Sequence, residues 1–397
     1  MSTLRDLSKL IEEVAERVRP EREERLRVGR VAAKALACTA KAVRKLGLNA
    51  SVEMHGSYAK DTWLAGETDL DVFLLFDLAY DTDYALSKGL EAAKLAATLM
   101  GGRWRESRAA HPYVRVLEEN IELDIVPGFK IERPEEVRTP VDRTRLHTRY
   151  VLRNLPRDLR DDVRVLKRFM KGVGVYGAEI KVNGFSGYVC ELLIILYGSF
   201  INAVRNIASW RPYRVILDPE GRTTSFPIND PLVIVDPVDP RRNAAAAVSE
   251  DSMYRLISAA RHLLLRPSLK FFFPGSPLPE KHKILDEIGR RGTYLMALTV
   301  PRPAKPEEIL WGQLRRAERG LTRFLSRLGV TVLGVGSWIC SDRVVIVVET
   351  DVGKLPSAEL HQGPPVGSPH EIKFINKYTG RAIAGPFIRG GRWYVVR

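Results

Sequence analysis

Cysteine is scarce in this chain. Cys38, Cys190 and Cys340 are the only thiols in 397 residues, odd in number and far apart. A disulfide framework is therefore excluded, their spacing matches no zinc-ligand pattern, and a reducing compartment is expected. Glutamine is rarer still, present only as Gln313 and Gln362. Few thermolabile amides beside many charges is the composition of heat-adapted proteins. No apolar run is long enough to span a bilayer. The opening MSTLRDLSKLIEEVAERVRP reads as a charged amphipathic helix and not as a signal peptide. Internal repeats and low-complexity segments are absent, so nothing suggests a repeat array. Acidic residues are outnumbered, 48 against 62 Lys and Arg, which leaves a net charge of +14. That imbalance points to a polyanionic partner, nucleic acid or an anionic membrane, and with no spanning run or signal peptide nucleic acid is the better expectation.

What remains is a globular chain of two or three domains, 45% hydrophobic and able to bury a large core. Its organising stretch is HGSYAKDTWLAGETDLDVFLLF, from His55 to Phe76. The pattern predicts a strand over 50–54, a Gly56-Ser57 turn and a helix over about 58–64. Such a turn points free backbone N–H groups and the Ser57 hydroxyl at an anion, and Lys60 adds a point charge. Asp69 and Asp71 then open an apolar strand. Alternate strand residues share a face, so the two carboxylates stand side by side. They repel unless a cation lies between them, and oxygen-only ligands suit Mg²⁺. A third carboxylate is expected from a neighbouring strand. Asp124, between Leu123 and Ile125 in a predicted hairpin, fits. Glu122 has the same parity but lies near the turn, and Glu67 competes with Asp69 but follows Gly66.

The flanking sequence predicts helices over 3–19, 20–45 and 83–100, with Arg103, Arg105 and Arg108 leading into the hairpin. A helix over 142–154 takes Asp142 as its N-cap. Another spans 161–171, and glycines after it put Tyr176 on a loop. The long apolar run 186–210 reads as the spine of a helical second domain. Strand 293–300, helix 306–328 and strands 331–335 and 343–349 give a βαββ order, a ferredoxin-like unit common among RNA-facing scaffolds. Arg315, Arg316, Arg319, Arg323 and Arg327 line one side of that helix, with Leu321, Phe324 and Leu325 on its packed side.

The ordered set GSYAKDTWL, TDLDVFLLF, HPYVRV, ELDIVP, VDRTRLH, RVLKRFMKGVGVYGAEIKVNGFSGYVCELLI and VDPVDPRRN resembles the archaeal (class I) CCA-adding enzymes. These are tRNA nucleotidyltransferases of the polymerase-β-like superfamily. The resemblance is dense from about Gly56 to Asn243 and looser beyond. It implies an α+β fold: a polymerase-β-like nucleotidyltransferase head over 1–141, a helical central domain over 142–212, a body domain over 213–278 and a C-terminal α+β (ferredoxin-like) part over 279–397.

It also implies the chemistry. Asp69, Asp71 and Asp124 are expected to hold two Mg²⁺ ions for nucleotidyl transfer from CTP and ATP to the acceptor end of tRNA. Ser57, Lys60, Thr144, His147, Lys167 and Tyr176 are expected to contact the incoming triphosphate and sugar. Arg242 is expected near the base, with Arg241 its neighbour and competitor. By pattern alone, His147 is a polar helix residue, Lys167 a solvated charge, Tyr176 a loop aromatic and Arg242 a surface arginine beside a turn. Relatives more often carry Arg at the Lys60 position, which forms two parallel bonds where Lys forms one. The resemblance implies a cytoplasmic enzyme, homodimer formation, and a further segment beyond Trp393-Tyr394 that completes the body domain and helps hold the tRNA elbow. With Arg397 as the last residue, the expectation is a competent head with weakened tRNA affinity. Two other readings stay open: a poly(A) polymerase or oligoadenylate synthase, and a non-catalytic RNA-binding relative.

Overall fold

The computed structural model describes residues 2–108, 111–222, 226, 229–275, 279–355 and 357–397. The chain divides into two compact units, Met1–Pro277 with Lys305–Gly312, and Leu278–Ala304 with Gln313–Arg397.

The first unit begins with helices α1 (Ser2–Val18) and α2 (Arg22–Lys45). Then come β1 (Ala50–His55), α3 (Gly56–Ala59), β2 (Asp69–Phe76), α4 (Thr82–Met100), β3 (Arg103–Arg108), β4 (Pro112–Glu118) and β5 (Ile121–Phe129). The strands form one mixed sheet in the order β1-β2-β5-β4-β3, with β2 and β5 parallel. Leu70, Val72 and Leu74 of β2 and Leu123 and Ile125 of β5 pack with Val28, Val31 and Ala35 of α2 and Ala92, Ala93 and Ala96 of α4. Asp69, Asp71 and Asp124 alternate with these residues and so lie on the opposite face of the sheet.

A helical layer completes this unit: α5 (Arg143–Asn154), α6 (Arg160–Val173), α7 (Gly187–Tyr197), α8 (Phe200–Ile207), β6 (Ile216–Leu217), β7 (Val233–Asp236), β8 (Asp239–Asn243) and α9 (Glu250–Leu265). Leu7 and Val14 of α1 share its core with Leu166 and Phe169 of α6, Leu193 of α7, Phe200 of α8 and Leu256 of α9. Phe169, Phe200 and Phe272 meet there with ring centroids 5.6–5.9 Å apart.

Several local expectations need correction. The helix after Ser57 is shorter than predicted, because Asp61 takes φ +53° just beyond it. Its carboxylate is held there by Arg25, Arg160 and Arg164. The spine over 186–210 is two helices bent by 99°. Gly198 ends α7 in the left-handed conformation, and Ser199 caps α8 by accepting from the Asn202 N–H. Asp142 precedes α5 but makes no cap bond. Its buried carboxylate instead accepts from the N–H groups of Phe129, Arg138 and Thr139 and from the Thr139 hydroxyl. The lead-in at Arg103 and Arg105 is a full edge strand, β3. No single helix among the described residues is long and apolar enough to cross a membrane.

The second unit holds α10 (Lys281–Arg291), β9 (Tyr294–Pro301), most of α11 (Glu307–Arg327), β10 (Val332–Ile339) and β11 (Arg343–Thr350). Next come β12 (Leu360–Pro365), α12 (Glu371–Tyr378), β13 (Ala384–Arg389) and β14 (Arg392–Val396). The expected βαββ arrangement is present, with antiparallel sheet order β10-β11-β9. It recurs in β12-β14-β13, where again the last strand is central. Phe324, expected on the packed side of α11, is exposed, and that side is formed by Leu314 and by Glu318, which accepts from the Ser337 hydroxyl.

Candidate active site

The sheet register builds the acidic centre. His55 of β1 pairs with Asp71 of β2, Asp71 with Asp124 of β5, and Asp124 with Arg115 of β4. These four side chains form one rung on one face, and Asp69 with Glu122 forms part of the next. Burial, then Asp124 and Asp69, push the Asp71 carboxyl up to about 7. Burial and Glu122 also raise Asp69. A site that penalises its own negative charge in this way is complementary to a cation, and its all-oxygen donors are those a hard divalent ion prefers. The donor set fits a divalent metal at Asp69 and Asp71.

Asp124 is already occupied. Arg115 grips it through two bonds of 2.7 Å, Nε to Oδ1 and Nη2 to Oδ2, and reaches Glu122 through Nη1 at 2.9 Å. Among the described residues, no three acidic, His or Cys side chains are already gathered into a metal cage. Sequence reading missed Arg115, although its alternation with Val114 and Val116 puts it on the acidic face.

Beside the acids lies a cavity of about 150 Å³ lined by Ser57, Trp63, Leu64, Glu67, Asp69, Lys167, Lys171 and Tyr176. Four of the residues singled out from sequence therefore meet in one pocket. Lys171 was not among them, though it lies one turn beyond Lys167 on α6. It stands 5.0 Å from the Tyr176 ring centroid and pairs with Glu67. Tyr176 is fixed by a bridge to Phe185, and burial raises its hydroxyl well above the ordinary tyrosine range.

Lys167 and Lys60 are not solvated. Both are buried, and they converge on the fully buried Glu191 of α7. Lys60 Nζ lies 2.5 Å from Glu191 Oε2 and Lys167 Nζ lies 3.9 Å from Oε1. Lys60 thus turns away from the cavity. Glu191 was missed because it sits in the apolar run Cys190-Glu191-Leu192-Leu193-Ile194 and was read as part of a spine.

His147 and Arg242 meet at a second buried acid, Asp236 of β7. Asp236 Oδ2 contacts His147 Nε2 at 2.9 Å and accepts from Arg242 Nη1 at 2.9 Å. Its Oδ1 accepts from the Tyr188 hydroxyl and the Val238 N–H, each at 3.1 Å. His147 stacks on Tyr188 with centroids 4.0 Å apart. Burial alone would raise Asp236, but His147, the Val238 N–H and Arg242 outweigh it and hold the carboxyl below the ordinary range. Arg241 turns instead to Asp239. Thr144 is on the first turn of α5, three residues before His147, and outside the cavity. His111 of the HPYV motif is buried, its Nε2 2.6 Å from the Pro127 carbonyl oxygen, a structural contact.

Comparison with known proteins gives the family setting. The family described as "Nucleotidyltransferase domain" matches residues 38–147. "tRNA nucleotidyltransferase, second domain" matches 161–273, and "CCA-adding enzyme, C-terminal domain" matches 291–397. The chain is 38% identical over 400 residues to the CCA-adding enzyme of Pyrobaculum aerophilum, covering 100% of this chain and 91% of that one. It is 36% identical to that of Methanothermobacter thermautotrophicus, covering 93% and 81%. It is 38% identical to that of Sulfurisphaera tokodaii, covering 89% and 80%. Among solved structures, a cytoplasmic RNA terminal U-transferase superposes with a TM-score of 0.51 at 17% identity, over 69% of this chain and 99% of that one. The Cid1 terminal uridylyl transferase gives 0.52 at 14% identity, over 70% and 100%. At these identities the two structures share the fold alone with this chain.

Proposed function

We propose a mechanism from the premise that this chain belongs to the archaeal CCA-adding enzyme family. Its reaction is template-independent addition of C, C and A to the 3′ end of tRNA from CTP and ATP, with release of pyrophosphate. The primer 3′-hydroxyl attacks the α-phosphate of the incoming nucleotide. The observation that carries the mechanism is the rung Asp71-Asp124 beside a cavity that holds Ser57, Asp69, Lys167 and Tyr176.

Asp69 and Asp71, joined by Asp124, would hold Mg²⁺, which when bound supplies acidification of the attacking hydroxyl and neutralisation of phosphate charge. The chain's own residues do the rest. The Gly56-Ser57 turn donates N–H groups and a hydroxyl to the triphosphate. Lys167 adds positive charge and Tyr176 a hydroxyl donor. Asp236 orients His147 and Arg242, and the partly exposed guanidinium of Arg242 presents its remaining donors to a base edge or phosphate. Thr144 contributes its hydroxyl from the same face of α5 as His147. The excess of basic residues attracts the tRNA acceptor end.

The test is incorporation of labelled CTP and ATP into tRNA lacking its 3′ terminus. Addition of two C and then one A is expected. Long tails from ATP alone, with no use of CTP, would instead establish the poly(A) polymerase reading.

Arg115 competes with a cation for Asp124. Replacing it by Gln removes a positive charge and frees both carboxylate oxygens. Calorimetric titration of the nucleotide-free protein with Mn²⁺ should then show affinity higher by about tenfold, the ratio that corresponds to ~1.4 kcal/mol. Unchanged affinity would mean that Arg115 does not compete for this carboxylate.

A further inference from the structure

Lys60, Lys167 and Glu191 are buried together, at 7%, 2% and 0% exposure. Two cations and one anion leave an unbalanced positive charge inside the protein. Burying charge is unfavourable even for balanced pairs, and replacing such pairs by apolar residues is often stabilising. An unbalanced node therefore asks for an explanation outside stability.

The node's geometry supplies one. Glu191 Oε1 accepts from the Thr62 hydroxyl at 2.6 Å, and Lys167 Nζ donates to the Thr62 carbonyl at 2.9 Å. Lys60 and Thr62 follow α3, Lys167 is on α6 and Glu191 on α7. All four are locked to one another, yet Lys167 also lines the cavity beside Ser57, Asp69 and Tyr176. At the start of α7, a Cβ on Gly187 would lie 3.0 Å from the Tyr176 hydroxyl and 3.4 Å from Lys167 Cε. The helix that carries Glu191 thus also packs against the two side chains that face the pocket.

We propose that Glu191 is a positioning residue for nucleotide binding: it fixes the place of Lys167 and keeps it charged, so that one net positive charge faces the incoming triphosphate. This inference rests on the function proposed above. Burial holds Lys167 down to about 8, Glu191 works against that fall, and Lys60 and Arg164 reinforce it. Cys190, the other titratable group facing it from α7, is pushed up by burial to about 12 and stays neutral. Without Glu191, Lys167 keeps the cost of burial and the repulsion of two cations and loses its proton at lower pH.

Glu191→Gln preserves shape and removes the charge. In steady-state incorporation into tRNA lacking its 3′ end, KM for both CTP and ATP should rise about tenfold or more at pH 8. KM for tRNA should not change. The alkaline limb of kcat/KM for nucleotide should move to lower pH by about one unit, the effect of losing one close opposite charge. Glu191→Asp, which restores the charge at shorter reach, should return the limb towards its original position. Unchanged nucleotide KM and pH profile would overturn the proposal, as would equal losses for tRNA and nucleotide. Should Glu191→Gln fail to fold, the double variant Lys60→Met with Glu191→Met removes one cation with the anion and so leaves the net charge of the node as it was. The two losses act on Lys167 in opposite directions, so the readout in that variant is binding: nucleotide KM should still rise, and wild-type nucleotide KM would equally overturn the proposal. Wild-type protein run in parallel separates the two ideas: no incorporation by it would defeat the proposed function, whereas active wild type with indifferent Glu191 variants would defeat this inference alone.

Discussion

Asp71→Asn should abolish nucleotide addition and at the same time stabilise the metal-free protein. Asp71 is central in its rung, between His55 and Asp124, and faces Asp69 from the same strand. Its amide replacement keeps the shape but removes the negative charge that a divalent ion requires. The expected loss in kcat is at least about 10³-fold, the scale of removing one preorganised electrostatic partner. Affinity for tRNA, read by filter binding, should stay near wild type. The stability effect follows from the proton balance. The folded value of about 7 is above the ordinary 3.8. Between those pH values the folded protein keeps a proton that the unfolded chain has released. Stability therefore falls as pH rises through that window and then levels off. Asn has no such term. In chelator, thermal unfolding of the variant should match wild type near pH 4 and gain on it up to pH 7, by on the order of 1–4 kcal/mol. Retained incorporation would remove Asp71 from the site, and an advantage over wild type no larger at pH 8 than at pH 4 would show that the carboxylate carries no such penalty.

The acidic centre was legible in the sequence because it follows from strand periodicity. Once Leu70, Val72 and Leu74 are assigned to the core, Asp69 and Asp71 must face the other way, and the same parity argument on the hairpin yields Asp124 and Glu122, of which Asp124 lies farther from the turn. Contacts between elements distant in sequence carry no such signal. Glu191 sits 131 positions from Lys60 and 24 from Lys167, inside an apolar run where helical spacing predicts only packing. Asp236 reads as a turn residue of VDPVDP until the fold brings α5 and α7 to it. Breaks within elements were similarly hidden. Apolar content runs unbroken across Gly198-Ser199, although a glycine followed by a capping residue is a stop and a start. The second βαββ layout was obscured by its short strands, whose register shifts between Gln362 and Pro365 and between Ala384 and Phe387, so that alternation is broken. The family wording identified which side chains to watch. The structure adds that Lys60, Lys167, His147 and Arg242 are each tied to a buried acid.

Gly56 connects the phosphate turn to the metal acids, and its substitution should show how little room that connection has. It adopts φ +70°, which a side chain disfavours, and a Cβ there would lie 1.9 Å from Asp71 Oδ2 and 2.9 Å from its Cγ. Asp71 belongs to β2, hydrogen-bonded on both sides, so its backbone cannot yield. Its carboxylate must rotate away from Asp124 or the turn must open, and either movement separates Ser57 from the acids. Gly56→Ala should lower kcat by about 10²-fold or more, since displacements of ~1 Å at a reacting centre have effects of that size. The backbone cost is separable. Gly47, beyond α2, has φ +61° and no atom within 4 Å of a built Cβ. Gly47→Ala pays the same conformational penalty, about 1 kcal/mol, without touching the site. Thermal unfolding should show both variants destabilised, while incorporation should fall only in Gly56→Ala. Equal activity in the two would mean that the turn and Asp71 adjust freely, and the close contact between them would then have no part in the reaction.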